Sequence, residues 1–97
     1  MRGSRISSTR VWLVAGEVQG VGFRAGALSE AIDLSIRGFA ENLPNGRVRV
    51  VGVGTTDALD RFERWLADGP PDARVERVTR VEERADYQNE VAGFVLR

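Results

Sequence analysis

Residues 11–24 read VWLVAGEVQGVGFR, an apolar run followed by a glycine-rich turn that ends in an aromatic residue and an arginine. The run VWLVA has the β-branched and aromatic character of a central strand. After Arg24 the spacing becomes helical, with Leu28, Ala31 and Ile32 predicted to share one face. Three glycines between a strand and a helix indicate backbone conformations that other residues adopt only at a cost. The stretch therefore predicts a strand–turn–helix unit with an unusually shaped turn.

The remaining chain predicts further strands and a second helix. Pro44, Asn45 and Gly46 suit a hairpin turn. A strand with valines at every third position, starting at Val75, breaks strict alternation and indicates a bulge. The predicted elements are a strand over residues 9–15, a helix over 25–34, strands over 36–42 and 47–53, a helix between possible N-caps at 55–57 and the breaker at 69–71, a strand over 74–83 and a short final strand with Phe94 and Leu96.

This order of elements predicts an α+β, ferredoxin-like (βαββαβ) two-layer sandwich. Its sheet is mixed but rich in antiparallel pairs, with two helices on one face and a short final strand. The first two strands run parallel in that plan, joined by a right-handed crossover and separated by one antiparallel neighbour. Their carboxyl ends share one edge of the sheet. We therefore expect Arg24 and Asn42, which follow those ends, to meet across a single intervening strand.

Length and composition indicate one small globular domain. The chain has 97 residues, of which 42% are hydrophobic and 29% charged, enough for a core without disulfides or metals. Lysine plus arginine and aspartate plus glutamate both number 14, so no overall field attracts nucleic acid or an anionic membrane. The opening octet MRGSRISS is polar and unlike a signal peptide. We predict a flexible arm over residues 1–8, a domain over residues 9–97 and a cytoplasmic location.

The residue types that the sequence lacks narrow its chemistry. It contains no cysteine, histidine or lysine. A thiolate nucleophile, a phosphohistidine, the lysine of a Walker loop and a zinc site built on Cys and His are therefore unavailable. An anion has to be bound by arginine, main-chain amides and neutral polar groups. We expect no cofactor and no metal.

The glycine-rich turn is suited to an anion. Such a turn directs several N–H groups inward, and the start of the following helix adds partial positive charge. Arg24 can complete this anion-binding turn with a bidentate contact to phosphate or carboxylate oxygens. The simpler alternative is an ordinary βα turn with a solvated arginine. Gln19 could take part in the site or brace the turn. A dinucleotide site is less favoured, because Gly20 and Gly22 match its fingerprint only in part.

Three segments together resemble the acylphosphatase family, in the order and separation typical of it. They are GEVQGVGFR at 16–24, GFAENLPNGRVRVVGVG at 38–54 and GPPDARVERV at 69–78, and the similarity spans residues 11–97. The second segment matches at Gly38, Asn42, Gly46, Val48, Val50 and Gly54.

The resemblance implies a ferredoxin-like enzyme that hydrolyses acyl phosphates to a carboxylate and inorganic phosphate without a metal. It makes Arg24 the catalytic arginine and Asn42 the residue that orients the water. The implied partners are a small-molecule acyl phosphate and inorganic phosphate as product and inhibitor, with no nucleic acid or membrane, and we expect a monomer. The implied phosphate-binding loop comprises Gln19, Gly20, Val21, Gly22, Phe23 and Arg24.

One departure from the family pattern bears on the site. Members often carry a basic or neutral residue just before the asparagine, whereas this sequence has Glu41. A carboxylate pointing into a phosphate site would weaken anion binding. Alternation along the strand places Glu41 on the opposite face from Asn42, so we expect a modest effect.

The alternative from another functional class is a non-catalytic ferredoxin-like module that binds phosphate or an acyl phosphate in a regulatory role. RNA-recognition domains share the topology, but their sheet aromatics are missing here. Metal chaperones of this shape require a pair of cysteines, which the sequence lacks. Hydrolysis of an acyl phosphate discriminates between the enzyme and the binding module.

Overall fold

The computed structural model describes residues 7–83 and 87–97. Residues 1–6 of the predicted arm lie outside this range. The elements follow the predicted order, with a short 3-10 helix added before the last strand. They are β1 (Ser7–Glu17), α1 (Phe23–Asp33), β2 (Arg37–Asn42), β3 (Val48–Thr55), α2 (Thr56–Asp68), β4 (Arg74–Val81), the 3-10 helix Tyr87–Asn89 and β5 (Phe94–Leu96).

The strands form one mixed sheet in the order β4-β1-β3-β2-β5. The pairs β1–β4, β1–β3 and β3–β2 are antiparallel, and β2–β5 is parallel. Since β1 and β2 each run antiparallel to β3, they run parallel to each other and end at the same edge. Val48 of β3 lies opposite Val14 on one side and Asn42 on the other. The predicted ferredoxin-like fold is confirmed.

The buried face of α1 matches the predicted apolar face only in part. Phe23, Ala27 and Ala31 are buried, whereas Ile32, predicted to share a face with Leu28 and Ala31, is 63% exposed. The helix begins at Phe23, two residues before the predicted start, and this aromatic residue aligns the buried stripe at steps of four. The contacting positions are small because the helix packs closely on its neighbours: a Cβ added at Gly26 would lie 2.9 Å from the ring of Trp65 in α2.

Helix α2 follows its sequence signals. Thr55 is the N-cap, and its hydroxyl oxygen accepts a hydrogen bond from the Ala58 N–H at 3.1 Å. The helix buries Leu59, Phe62 and Leu66 and ends at Asp68, before Gly69. It therefore packs against the sheet with a conventional amphipathic face.

The predicted bulge in β4 is present. Ala15 pairs with Arg77 but Gly16 pairs with Val75, so Glu76 is the extra residue. The extra residue brings Val75 and Val78 to the same face of the sheet, where both pack on the core beneath the helices. Without a further bulge, Val81 falls on the opposite face.

Apolar clusters cover both faces of the sheet. The larger cluster lies under the helices, and the smaller lies under the segment around the 3-10 helix. The larger contains Trp12, Val14, Val18, Phe23, Ala27, Ala31, Ile36, Ala40, Val48, Val50, Leu59, Phe62 and Leu66. The smaller contains Val11, Phe39, Val51, Val53, Tyr87 and Val91. Across the described ranges, no helix is long and apolar enough to cross a membrane.

Candidate active site

The loop between β1 and α1 is anchored at both ends and open between them. Val18 and Phe23 are each only 1% exposed and join the core under the helices. Between these anchors Gly20 and Gly22 are exposed and adopt left-handed φ angles of 76° and 83°. Glycine adopts such angles without the steric cost that a Cβ imposes. The main chain of residues 19–22 therefore lies at the surface between two side chains that are anchored in the core.

The start of α1 adds positive potential to this loop. Gly22 is the N-cap residue and has no side chain with which to satisfy the first N–H groups of the helix. The first turn carries Arg24 and no acidic residue. Unsatisfied N–H groups and a guanidinium at one helix end together favour an anion.

Arg24 reaches from α1 to the end of the neighbouring strand pair. Its Nη1 donates a hydrogen bond to the main-chain oxygen of Arg97 at 2.7 Å. The N–H of Arg97 in turn donates to the Ala40 oxygen of β2 at 2.8 Å. These two bonds connect the guanidinium to a point on β2 two residues before Asn42.

Asn42 is the last residue of β2 and is exposed. Side chains alternate along a strand, so Asn42 lies on the same face as Ala40, which packs in the cluster beneath the helices. This is also the side of the sheet that carries α1 and Arg24. The fold therefore brings the ends of β1 and β2 and the start of α1 to one corner of the molecule.

Gln19 joins the loop to the hairpin that follows Asn42. Its Nε2 donates hydrogen bonds to the main-chain oxygens of Leu43 at 2.8 Å and Arg47 at 2.9 Å. Gln19 therefore braces the hairpin and not its own loop, and a part for Gln19 in the phosphate-binding site stays a prediction.

Sequence reasoning missed the acceptors that assemble this corner. They are main-chain oxygens of Leu43, Arg47 and Arg97. Every residue type has a carbonyl oxygen, so side-chain identity at these positions carries no signal. The predicted topology placed the ends of β1 and β2 at one edge of the sheet but did not indicate these contacts.

Glu41 faces away from the candidate site, as predicted. Its Oε1 lies 3.8 Å from Nη1 of Arg49, the residue opposite it in β3. Arg49 also forms a bidentate ion pair with Glu83 and a hydrogen bond to the Tyr87 hydroxyl at 2.6 Å. The negative charge of Glu41 is thus directed to the sheet face opposite the helices.

Two surface concavities are lined by neither the glycine-rich loop nor Asn42. One, of about 650 Å³, is lined by residues 9–11 of β1 and 80–83, and the other, of about 240 Å³, includes Leu13, Ala15, Arg47, Arg77 and Thr79. Bulky apolar ligands need such cavities, whereas a small, highly charged ligand can be held by exposed main-chain N–H groups. The candidate site is of the second kind, because it offers exposed main-chain N–H groups that suit a small, highly charged ligand.

The fold and this corner define a class: a two-layer α+β domain with an exposed glycine-rich turn between its first strand and first helix. The sequence profile of the acylphosphatase family matches residues 10–96. The chain is 45% identical over 89 residues to "Acylphosphatase" of Alkalilimnicola ehrlichii, covering 92% of this chain and 97% of that protein. It is 54% identical over 68 residues to "Acylphosphatase" of Thermus thermophilus, covering 70% and 77%.

Solved structures agree. An acylphosphatase from Coxiella burnetii superposes with a TM-score of 0.82 at 34% identity, covering 94% of this chain and 93% of that one. The crystal structure of acylphosphatase from Bacillus subtilis gives a TM-score of 0.83 at 28% identity, covering 94% and 98%. The chain belongs to the acylphosphatase family. The predicted resemblance is confirmed, and with it the predicted class of enzyme, a hydrolase acting on acid anhydrides.

Proposed function

We propose that the protein hydrolyses the bond between the carboxyl oxygen and phosphorus of acyl phosphates, with Arg24 and Asn42 as its catalytic residues. The observation that carries this proposal is the hydrogen-bonded corner. Gln19 joins the glycine-rich loop to Leu43, directly after Asn42, and Arg24 is connected through Arg97 to β2 just before it. Membership of the acylphosphatase family supports the reaction.

The phosphoryl group binds in the glycine-rich loop. The main-chain N–H groups of residues 19–24 hold its oxygens, and the fork of Arg24 closes over them. Charge spreads over these same oxygens in the transition state of phosphoryl transfer, so donors fixed in advance stabilise it at no reorganisation cost. The rigid anchors Val18 and Phe23 keep those donors in place.

Asn42 orients the attacking water. Its carboxamide oxygen accepts a hydrogen bond from the water, which approaches phosphorus in line with the departing carboxylate. A new bond forms between the water oxygen and phosphorus, and the bond from phosphorus to the acyl oxygen breaks. The water's proton passes to a phosphate oxygen, because a carboxamide cannot take it up. The products are a carboxylate and inorganic phosphate.

The residue types of this chain suit such a substrate. An acyl phosphate already carries a good leaving group, so positioning and charge stabilisation suffice without a protein nucleophile. The sequence has no cysteine, histidine or lysine that could supply one. The proposal extends to product inhibition by phosphate and to a monomeric protein of the cytoplasm.

The test is hydrolysis of a synthetic aryl acyl phosphate by the parent protein and by Arg24→Ala and Asn42→Ala. We expect turnover that a chelator does not affect and that added phosphate inhibits. By analogy with the removal of an oxyanion-hole donor, either substitution lowers the rate by a factor of about 100 or more, equivalent to roughly 3 kcal/mol.

Arg61→Ala and Asn89→Ala are matched controls, because they remove the same residue types from exposed positions outside the corner. Both are expected to keep parental rates. Parental activity in folded Arg24→Ala and Asn42→Ala would refute the site assignment. Phosphate binding without any turnover by the parent protein would favour the regulatory binding module.

A further inference from the structure

Gln19 makes a contact that neither the loop nor the hairpin needs for its own shape. The hairpin turn is closed by its own main-chain bonds, from the Leu43 N–H to the Arg47 oxygen at 2.9 Å and from the Gly46 N–H to the Leu43 oxygen at 3.1 Å. Gln19 adds a second hydrogen bond to each of these two oxygens. A carbonyl oxygen has two lone pairs, so the turn and the brace coexist.

The brace is a direct link between the loop and the hairpin, in addition to the link that Arg24 makes to β2 through Arg97. Its origin lies on the loop, directly after the buried Val18. Leu43, one of its two acceptors, directly follows Asn42, an exposed residue at the very end of β2. A strand end beside a turn is held less firmly than a strand interior, because loop and turn residues have fewer packing contacts.

From this geometry we infer that Gln19 is a positioning residue whose carboxamide sets the distance between the phosphate-binding loop and Asn42. The inference rests on the proposed function. In-line attack requires the water on Asn42 and the phosphorus in the loop to lie at a defined separation, and the rate is sensitive to displacements of about 1 Å. The Gln19 side chain acts through Asn42 and touches neither reactant, whereas its main-chain N–H belongs to the phosphate-binding loop.

The first test compares steady-state kinetics of Gln19→Met and the parent protein with an aryl acyl phosphate. Methionine matches glutamine in length but has no N–H donor, so the side-chain volume stays and the brace is lost. We expect kcat to fall about tenfold, with KM and the inhibition constant of inorganic phosphate within about twofold, because only the alignment of the water changes.

A double-mutant cycle tests the route of the effect. If Gln19 acts through Asn42, then Gln19→Met lowers kcat in the parent protein but has little further effect in Asn42→Ala. Independent losses that multiply would overturn the inference. Nuclear magnetic resonance of the Asn42 side-chain amide gives a readout apart from activity: we expect its signal to broaden or split in Gln19→Met.

Gln88→Met is the matched control. Gln88 also donates a side-chain amide bond to a main-chain oxygen, that of Ser7 at 3.2 Å, far from the loop. We expect parental kcat and an unchanged Asn42 signal in this variant. An equal fall in kcat for Gln88→Met would overturn the inference, because a general effect of losing such a bond would then explain both variants.

Other outcomes separate the inference from the proposed function. Weaker inhibition by phosphate in Gln19→Met with unchanged kcat would mean that the side chain binds the phosphoryl group, contrary to the inference. Loss of activity in Arg24→Ala and Asn42→Ala, but not in Gln19→Met, would refute the positioning role alone. Full activity in all three would refute the proposed function itself.

Discussion

At the scale of single residues, Gly38 shows how closely the backbones of neighbouring strands pack in the sheet. It lies in β2 with a φ angle of 143°, and a Cβ added there would come within 1.8 Å of the Val51 oxygen. Its N–H also donates to the Gly93 oxygen at 2.9 Å, beside β5. No other residue type combines that φ angle with that approach.

Gly38→Ala is therefore expected to destabilise the fold severely. The added methyl group meets main-chain atoms of β3, which move only if the sheet does, so we expect a loss of at least about 3 kcal/mol in the free energy of unfolding. Urea denaturation measures this loss as a lower midpoint.

Gly46→Ala provides the comparison for Gly38→Ala. Gly46 has a φ angle of 90°, but a Cβ added there has no neighbour within 4 Å. Gly46→Ala introduces backbone strain without a steric clash, so it should lower the free energy of unfolding by only about 1–2 kcal/mol. Equal losses for the two variants would show that conformational strain, and not close approach to β3, makes glycine necessary at position 38.

The contacts of other single residues depend on the folded arrangement of distant segments. Arg24 and Asn42 were predicted to meet from the parallel run of β1 and β2, since parallel strands end at one edge. The acceptors of Gln19 and Arg24 were not predictable, because they are main-chain oxygens 24 to 73 residues away. Side-chain types indicate the candidate catalytic groups, whereas the course of the backbone determines which atoms hold them.

At the scale of elements, Glu63 links α2 to two strands. Its Oε1 accepts hydrogen bonds from Nε of Arg80 in β4 at 2.6 Å and from the Trp12 indole of β1 at 2.7 Å. The bond from Arg80 is the main cause that lowers the pKa of Glu63 below its ordinary value of 4.5, with burial opposing it and Trp12 adding to it. The charged form of Glu63 therefore stabilises the packing of α2 on the sheet.

This lowered pKa predicts a dependence of stability on pH. The folded state holds the proton of Glu63 less tightly than the unfolded state, so the stabilisation is complete above pH 4.5 and is lost as the pH falls through the folded-state pKa. Glu63→Gln should lower stability at neutral pH and flatten its decline in acid, as measured by urea denaturation between pH 3 and pH 7.

The control for Glu63 is Glu76→Gln, at the exposed bulge residue of β4. This variant should keep the parental slope of stability against pH. A parental slope in Glu63→Gln as well would show that other carboxylates, such as Glu83 beside Arg49, account for the acid sensitivity.

Helices and strands were predicted correctly where the hydrophobic periodicity and the turn or helix-terminating residues gave strong signals. The spacing of Val75, Val78 and Val81 indicated the bulge that the register shows at Glu76. The predicted apolar face of α1 was correct in part, because Ala31 is buried, but Ile32 is 63% exposed and the small residue Ala27 is buried in the core. Hydrophobicity ranks residues by transfer from water, but a helix packed closely on its neighbours needs small residues at the contact.

At the scale of the whole molecule, aromatic contacts join the layers. The Phe62 ring of α2 is fully buried and packs edge-on against Trp12 of β1 and Phe94 of β5, with ring centroids 5.6 and 5.9 Å apart. Trp12 lies in an interior strand and Phe94 in the strand at the sheet's edge. Phe62 thus ties the end of the chain that holds Arg97 to the main core.

Phe62→Ala should cost about 3–5 kcal/mol, because it opens a cavity where three rings meet. A domain of this size has a total stability of roughly 5–15 kcal/mol, so the variant lies near the limit of folding. Thermal and urea denaturation measure the loss. Ile32→Ala, at an exposed position of α1, should change stability by less than about 0.5 kcal/mol, and a comparable loss there would contradict the observed burial.

The sequence by itself determined the order of elements and the ferredoxin-like plan, because periodicity, turn residues and the glycine-rich motif are local properties of the side-chain types. The candidate catalytic pair came from the resemblance to the acylphosphatase family. Only the tertiary structure decided which face α1 buries, that Gln19 braces the hairpin and that Arg24 contacts the main chain of Arg97. These features depend on distances between segments remote in sequence, and such distances emerge only when the whole core packs.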